Sequence, residues 1–268
     1  MQYMETTTPS GAPTLMLIHG SWHVGSCWSG VQKELSEAGV PSRAPTLAGH
    51  DPVDDRSSVT HDDYVASVTR ALKDVSGPAV LVGHSFGGSV ISRVAEVCPE
   101  RCLGLVYCSA FVPRDGESVA DCLPREFVEF VKQAAASRED RTVELPDSAL
   151  RHSFANTADE ATLAQIRARL VPEPYAPIFD TLELPHFAGL RIPMVYISCR
   201  DDRTMPPGTF HPGQSSRLGT PTVIEIDGDH ESLFTAPERL ADALLEALDV
   251  IQTTASPRPR KISSSVRW

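Results

Sequence analysis

The stretch AVLVGHSFGGS, Ala79 to Ser89, carries an apolar run straight into a serine set among glycines. Four apolar residues followed by glycine suit a buried strand. The residues after the serine, GGSVISRVAEV, place Val90, Ile91, Val94 and Val97 at helical spacing. A strand that turns directly into a helix forces its corner residue into strained backbone, and glycines on either side leave room for that. Gly83-His84-Ser85-Phe86-Gly87 fits G-x-S-x-G in this strand-turn-helix context. The turn pushes the Ser85 Oγ out at the carboxyl end of a sheet, above the N-terminus of the next helix. Ser85 is therefore a candidate nucleophile, and His84 is a packing and positioning neighbour.

Five further apolar runs stand out: TLMLIH from Thr14, PSRAPTL from Pro41, CLGLVYCSA from Cys102, PMVYISC from Pro193 and PTVIEID from Pro221. The strongest are nearly continuous in apolar character, as strands covered on both faces must be. Helical patterns lie between them. Tyr64, Val65, Val68 and Leu72 form one stripe, and Leu240, Leu244, Leu248 and Ile251 form another. Alternating strands and helices predict an α/β fold with a mainly parallel six-stranded sheet. Residues 112–190 contain no convincing strand, but they hold helical pieces and a proline-rich passage. So long an insertion predicts a helical lid. The expected organisation is a flexible arm at 1–13, a core at 14–111 and 191–252, the lid at 112–190, and a flexible basic tail at 253–268.

The chain has 268 residues and a formal net charge of −11, which argues against a nucleic-acid partner. Arg258, Arg260, Lys261 and Arg267 sit in a tail that carries no acid, so the remaining body is more acidic still. No apolar run approaches the ~18 residues of a membrane span. The polar start MQYMETTTPSGAP does not resemble a secretion signal. Six cysteines, Cys27, Cys98, Cys102, Cys108, Cys122 and Cys199, form no C-x-x-C pair, so neither a metal nor another cofactor is expected. Read as reduced small hydrophobes, they predict a cytoplasmic location.

A serine hydroxyl needs a base to become a nucleophile. On a sheet with such a serine turn, an acid and then a histidine follow along the chain. SCRDDRTMP, after the fifth strand, offers Asp201 and Asp202. IDGDHESLF, after the sixth, offers His230. Each lies just past a strand end, where ligands meet an open α/β sheet. Donors for a developing oxyanion are expected from two backbone N–H groups: Phe86 at the helix start, and Ser21 after the first strand, beside Gly20.

Together, LIHGSWHVGSCW, GHSFGG, SCRDDRTMP and GDHESLF resemble the α/β-hydrolase superfamily. They are most similar to the branch of plant methylesterases, salicylate-binding esterases and hydroxynitrile lyases. The landmarks run from Ile18 to Phe234. The resemblance implies Ser85 as nucleophile, Asp202 as the acid, His230 as the base, and the backbones of Ser21 and Phe86 as oxyanion donors. The lyases of this branch carry a threonine after the first-strand histidine and a lysine after the catalytic histidine. Here those positions are Gly20 and Glu231.

These features predict a serine hydrolase that cleaves a small carboxylic ester, thioester or lactone through an acyl-enzyme. The expected partner is a neutral, apolar small molecule. The other readings are a non-hydrolytic lyase, isomerase or cyclase on the same scaffold, and a ligand-binding receptor. Phe127, Phe130, Phe154, Phe179 and Leu182 of the lid are candidates to line the substrate pocket, or equally to pack the lid.

Overall fold

A computed structural model describes residues 12–255. The chain enters β1 (Leu15–Ile18), then α1 (Ser29–Glu37), β2 (Ser42–Arg43), α2 (His61–Leu72), β3 (Ala79–His84), α3 (Gly87–Val97) and β4 (Cys102–Cys108). An insertion follows, with α4 (Arg125–Ala136), β5 (Thr142–Val143), α5 (Asp147–Ala149), α6 (Glu160–Arg167), β6 (Glu173–Pro174) and α7 (Ala176–Phe179). The chain closes with β7 (Met194–Cys199), β8 (Thr222–Ile226), α8 (Ser232–Thr235) and α9 (Pro237–Ala255). Six strands form one parallel sheet in the order β2-β1-β3-β4-β7-β8, and β5 pairs with β6 separately in antiparallel fashion.

The unbroken apolar strands follow from burial on both faces. Met16, Ile18, Leu81, Leu105 and Tyr107 point to the side covered by α2 and α3. Leu15, Leu17, Val80, Val82 and Val106 point to the side covered by α1 and α9. Tyr64, Val65, Val68 and Leu72 form the buried stripe of α2, and Thr60 and Asp63 cap its first turn reciprocally. Leu240, Leu244, Leu248 and Ile251 do the same for α9. That helix continues to Ala255, so the first residues of the expected tail are helical. The rest of the tail, with its four basic residues, and all but two residues of the expected arm lie outside the described residues.

The insertion is less separate than a second domain would be. Its side chains Val131, Ala135, Leu150, Leu163 and Ile166 join the same apolar cluster as α2 and α3. The sheet order also reverses between β1 and β3, because the chain steps outward to β2 and then returns past β1. A reversal of this kind opens a crevice at the carboxyl ends of those two strands. Ser21 and Ser85 lie just beyond those ends.

Candidate active site

Ser85 has φ +51, the left-handed region that a side chain with a Cβ enters at a cost. The corner is held by hydrogen bonds: the Ser85 N–H donates to Cys108 O at 3.2 Å, and its carbonyl accepts from Phe111 N–H at 3.1 Å. Glycine on the preceding side is obligatory, because a Cβ on Gly83 would lie 2.5 Å from the Gly87 carbonyl oxygen. Gly20 presses from the neighbouring strand end, where an added Cβ would come within 2.8 Å of the Ser85 Cβ.

His230 follows β8, and its Nδ1–H donates to Asp202 Oδ2 at 2.8 Å. Both residues are almost wholly buried. The other oxygen of Asp202 accepts from the backbone N–H groups of Thr204 (2.8 Å) and Met205 (2.7 Å), which fixes the carboxylate plane. Its exposed neighbour Asp201 instead accepts from Gly228 N–H and ties the turn after β8. Burial disfavours the His230 imidazolium, but Asp202 and then Glu231 outweigh that, and its pKa lies above the ordinary value of 6.5. Burial likewise opposes the Asp202 anion, and His230 overcomes it, so the Asp202 pKa is lowered. His230 Nε2 is buried and makes no hydrogen bond among the described residues.

His84 is held neutral. Burial, then repulsion from His230, pushes its pKa down to about 3. Its Nε2–H donates to the His230 carbonyl at 2.8 Å, which ties the β8 loop to the end of β3. Glu231 is fully buried and sits 3.2 Å from His23 Nε2. This is ion-pair distance, and the carboxylate raises the His23 pKa against burial while His23 helps to lower that of Glu231 to about 2.

The Ser21 and Phe86 N–H groups donate to no protein acceptor among the described residues. Both residues border a cavity of about 220 Å³ that also contains Ser85. Its walls are mostly apolar: Trp22, Phe111, Val119, Phe127, Phe154, Ile178 and Phe210 contribute. Of the five lid residues expected there, Phe127 and Phe154 line it. Phe154 also packs edge-on to the His230 ring at 5.2 Å. Phe130 rests against Phe127, Phe179 stacks on Tyr175 at 4.5 Å, and Leu182 is buried in the packed interior. Phe111 and Phe210 were not expected; one lies three residues past β4, and the other sits in the long excursion between β7 and β8. A larger depression of about 1230 Å³ lies at the opposite end of the strands, near Thr14, Ser42 and Pro78, away from all of these groups. Among the described residues no cluster of three potential metal ligands occurs, and no helix is long and apolar enough to cross a membrane.

The sequence model of the alpha/beta hydrolase family matches residues 15–243. The chain belongs to that family. A solved extracellular α/β-hydrolase from a Paenibacillus species, described as sharing structural and functional homology with a tobacco salicylic acid-binding protein, is 38% identical with a TM-score of 0.83. That match covers 88% of this chain and 98% of the other. A pyrethroid hydrolase of Sphingobium wenxiniae is 28% identical, over 88% of this chain and 87% of its own. Salicylic acid-binding protein 2 of Nicotiana tabacum is 26% identical, over 86% of this chain and 95% of its own. These relatives bear out the resemblance to the plant esterase branch.

The Paenibacillus relative also overturns the cytoplasmic expectation, because it is described as extracellular. That expectation had rested on a start that does not resemble a secretion signal and on reading the cysteines as reduced thiols. Cys27, Cys102, Cys108 and Cys199 are buried, and burial raises their thiol pKa values, to about 12 for Cys102 and Cys199. Buried, protonated thiols act as small hydrophobes in either redox compartment, so they do not report one.

Proposed function

We propose that this α/β-hydrolase is a serine carboxylesterase acting on a small ester with one apolar, ring-sized half. Ser85 Oγ attacks the ester carbonyl while its proton passes to His230 Nε2. Asp202 keeps Nδ1 protonated and stabilises the imidazolium that forms. The N–H groups of Ser21 and Phe86 donate to the carbonyl oxygen as it gains negative charge, where each such donor contributes roughly 10²–10³ in rate. His230 then protonates the departing alkoxide, and water repeats the sequence on the acyl-enzyme to release the acid.

The observation that carries this reading is the buried Asp202–His230 pair beside a serine held at φ +51 in an apolar cavity. Cavity size supports the substrate class. At about 220 Å³ it is smaller than the roughly 300–1,000 Å³ of drug-sized sites, so it suits one half of a small ester. The esterase and hydrolase relatives point the same way. Glu231 argues against the lyase alternative, since a buried carboxylate beside His230 opposes an anionic leaving group such as cyanide.

A fluorophosphonate followed by peptide mass spectrometry is expected to tag Ser85. Ser85→Ala should cut turnover of 4-nitrophenyl acetate by at least about 1,000-fold, with an unchanged thermal midpoint. A tag on another serine, or full turnover by the variant, would overturn the proposal.

A further inference from the structure

We propose that Glu173, on the lid strand β6, is a positioning residue for the oxyanion hole, clamping the Ser21–Trp22 peptide so that the Ser21 N–H faces the reacting carbonyl. This inference rests on the serine-esterase reading above. Glu173 is fully buried. Its Oε2 accepts from the Trp22 backbone N–H at 2.9 Å and faces His50 Nε2 at 3.0 Å, and its Oε1 accepts from the Tyr64 hydroxyl at 2.9 Å. A buried carboxylate is costly unless its oxygens are matched in this way. One of the three partners is the N–H directly after a candidate oxyanion donor.

Every polar group of Trp22 bonds to the insertion. Besides its N–H on Glu173, its carbonyl accepts from Val171 N–H at 2.9 Å, and its indole Nε1–H donates to the Val143 carbonyl at 2.8 Å. Trp22 has φ +65, where a bulky residue is strained, so these contacts hold a conformation the loop alone would leave.

The other end of the same peptide is also held, because the Ser21 carbonyl accepts from His23 Nδ1–H at 2.7 Å. One residue earlier, the Gly20 carbonyl accepts from His19 Nδ1–H at 2.9 Å. His19 Nε2 accepts from Leu47 N–H at 3.0 Å, which fixes the tautomer. In a trans peptide the C=O and N–H point opposite ways. Drawing the Gly20 oxygen to His19 therefore turns the Ser21 N–H away from His19. Holding the next peptide by Glu173 and His23 prevents it from rotating back. The lid thereby supports the transition-state charge as well as covering the substrate.

The test is Glu173→Gln, which keeps the shape but replaces a charged acceptor with a weaker neutral one. The expected result is a fall in kcat of about 10-fold with KM within about 2-fold, because the contact matters most where negative charge develops. Affinity for a trifluoromethyl ketone, which mimics the tetrahedral oxyanion, should fall in parallel. Affinity for the acid product should not change. Tyr64→Phe, which removes one donor from Glu173, should show the same pattern at about 3-fold and decides the matter if Glu173→Gln does not fold. Unchanged kcat would overturn the inference, as would a loss that disappears once rates are normalised to the fraction of protein titratable at Ser85. A wild-type enzyme that hydrolyses no ester and is not tagged at Ser85 would instead sink the esterase reading itself.

Discussion

At the carboxyl edge of the sheet, Ser85 and Asp202 each follow a buried strand within a few residues, and His230 follows the edge strand β8. The insertion reaches the same space with Phe127 from α4, Phe154 from the π-helical turn Leu150–Phe154 and Ile178 from the four-residue helix α7. The edge is cross-braced by buried hydrogen bonds: Asp202 to two backbone N–H groups, His84 to the His230 carbonyl, and Ser85 to β4. Much of the lid's own bracing is exposed ion pairing, as in Arg138–Glu144, Arg151–Glu160 and Arg167–Asp147, each contributing only about 0–1 kcal/mol. Burial and backbone bonding leave the edge one geometry. The insertion is anchored by its buried side chains Val131, Leu150, Leu163 and Ile166 and by its grip on Trp22, while its exposed faces can exchange side chains at little cost. The proposed chemistry thus falls on the edge, and the proposed selectivity on the insertion.

The sharpest way to break that division is at the paired aspartates. Asp202→Asn should cost about 10⁴ in kcat, because an amide favours the wrong His230 tautomer. Asp201→Asn should stay within about 3-fold, since it only loosens a turn at Gly228. Steady-state kinetics on one activated ester would check both, and comparable losses would mean that the edge is not organised around Asp202.

A smaller effect belongs to the lid. Phe127→Ala should alter the ratio of kcat/KM between an aryl and an acetyl ester by about 10-fold, while turnover of 4-nitrophenyl acetate stays within about 3-fold. Phe179→Ala, placed against Tyr175 rather than the cavity, should leave that ratio unchanged. Phe154 is a poorer probe, because it touches both the cavity and His230.

The mildest test is pH. The esterase step needs neutral His230, whose pKa is raised above 6.5 by Asp202 and Glu231. kcat/KM should therefore fall as pH drops through an apparent pKa above 6.5. Asp202→Asn should move what activity remains to lower pH, because removing the anion disfavours the imidazolium. A wild-type acid limb below 6.5 would show that burial outweighs those carboxylates.

The sheet and its edge were legible because their signals are local. Strands covered on both faces read as apolar runs, and a serine turn needs small residues at fixed offsets, so Ser85, His230 and the two candidate aspartates could be found by position alone. Choosing between Asp201 and Asp202 required the resemblance; in the structure it is Asp202 that accepts from His230. The lid was legible as helices but not as a wall. Apolar spacing tells which face of α4 is turned inward, not whether Phe127 or Phe130 meets the void. Phe210 escaped because it sits in an irregular stretch between β7 and β8 with no apolar periodicity to mark it. Glu173 left one faint mark, an acid between prolines in an apolar passage, VPEP, but its three donors come from positions 22, 50 and 64.

The grip on Trp22 also bears on how substrate reaches the nucleophile. Swinging the whole insertion outward would strip the Glu173 carboxylate of three partners at once, with each hydrogen bond to a charged group contributing about 1.5–3 kcal/mol. A wholesale opening is therefore disfavoured relative to a local one. Pro124 and Arg203 are exposed residues of the cavity lining, so a local opening there would leave the Glu173 contacts intact, and its breadth, as well as the depth of the chamber, is expected to bear on which molecules are turned over.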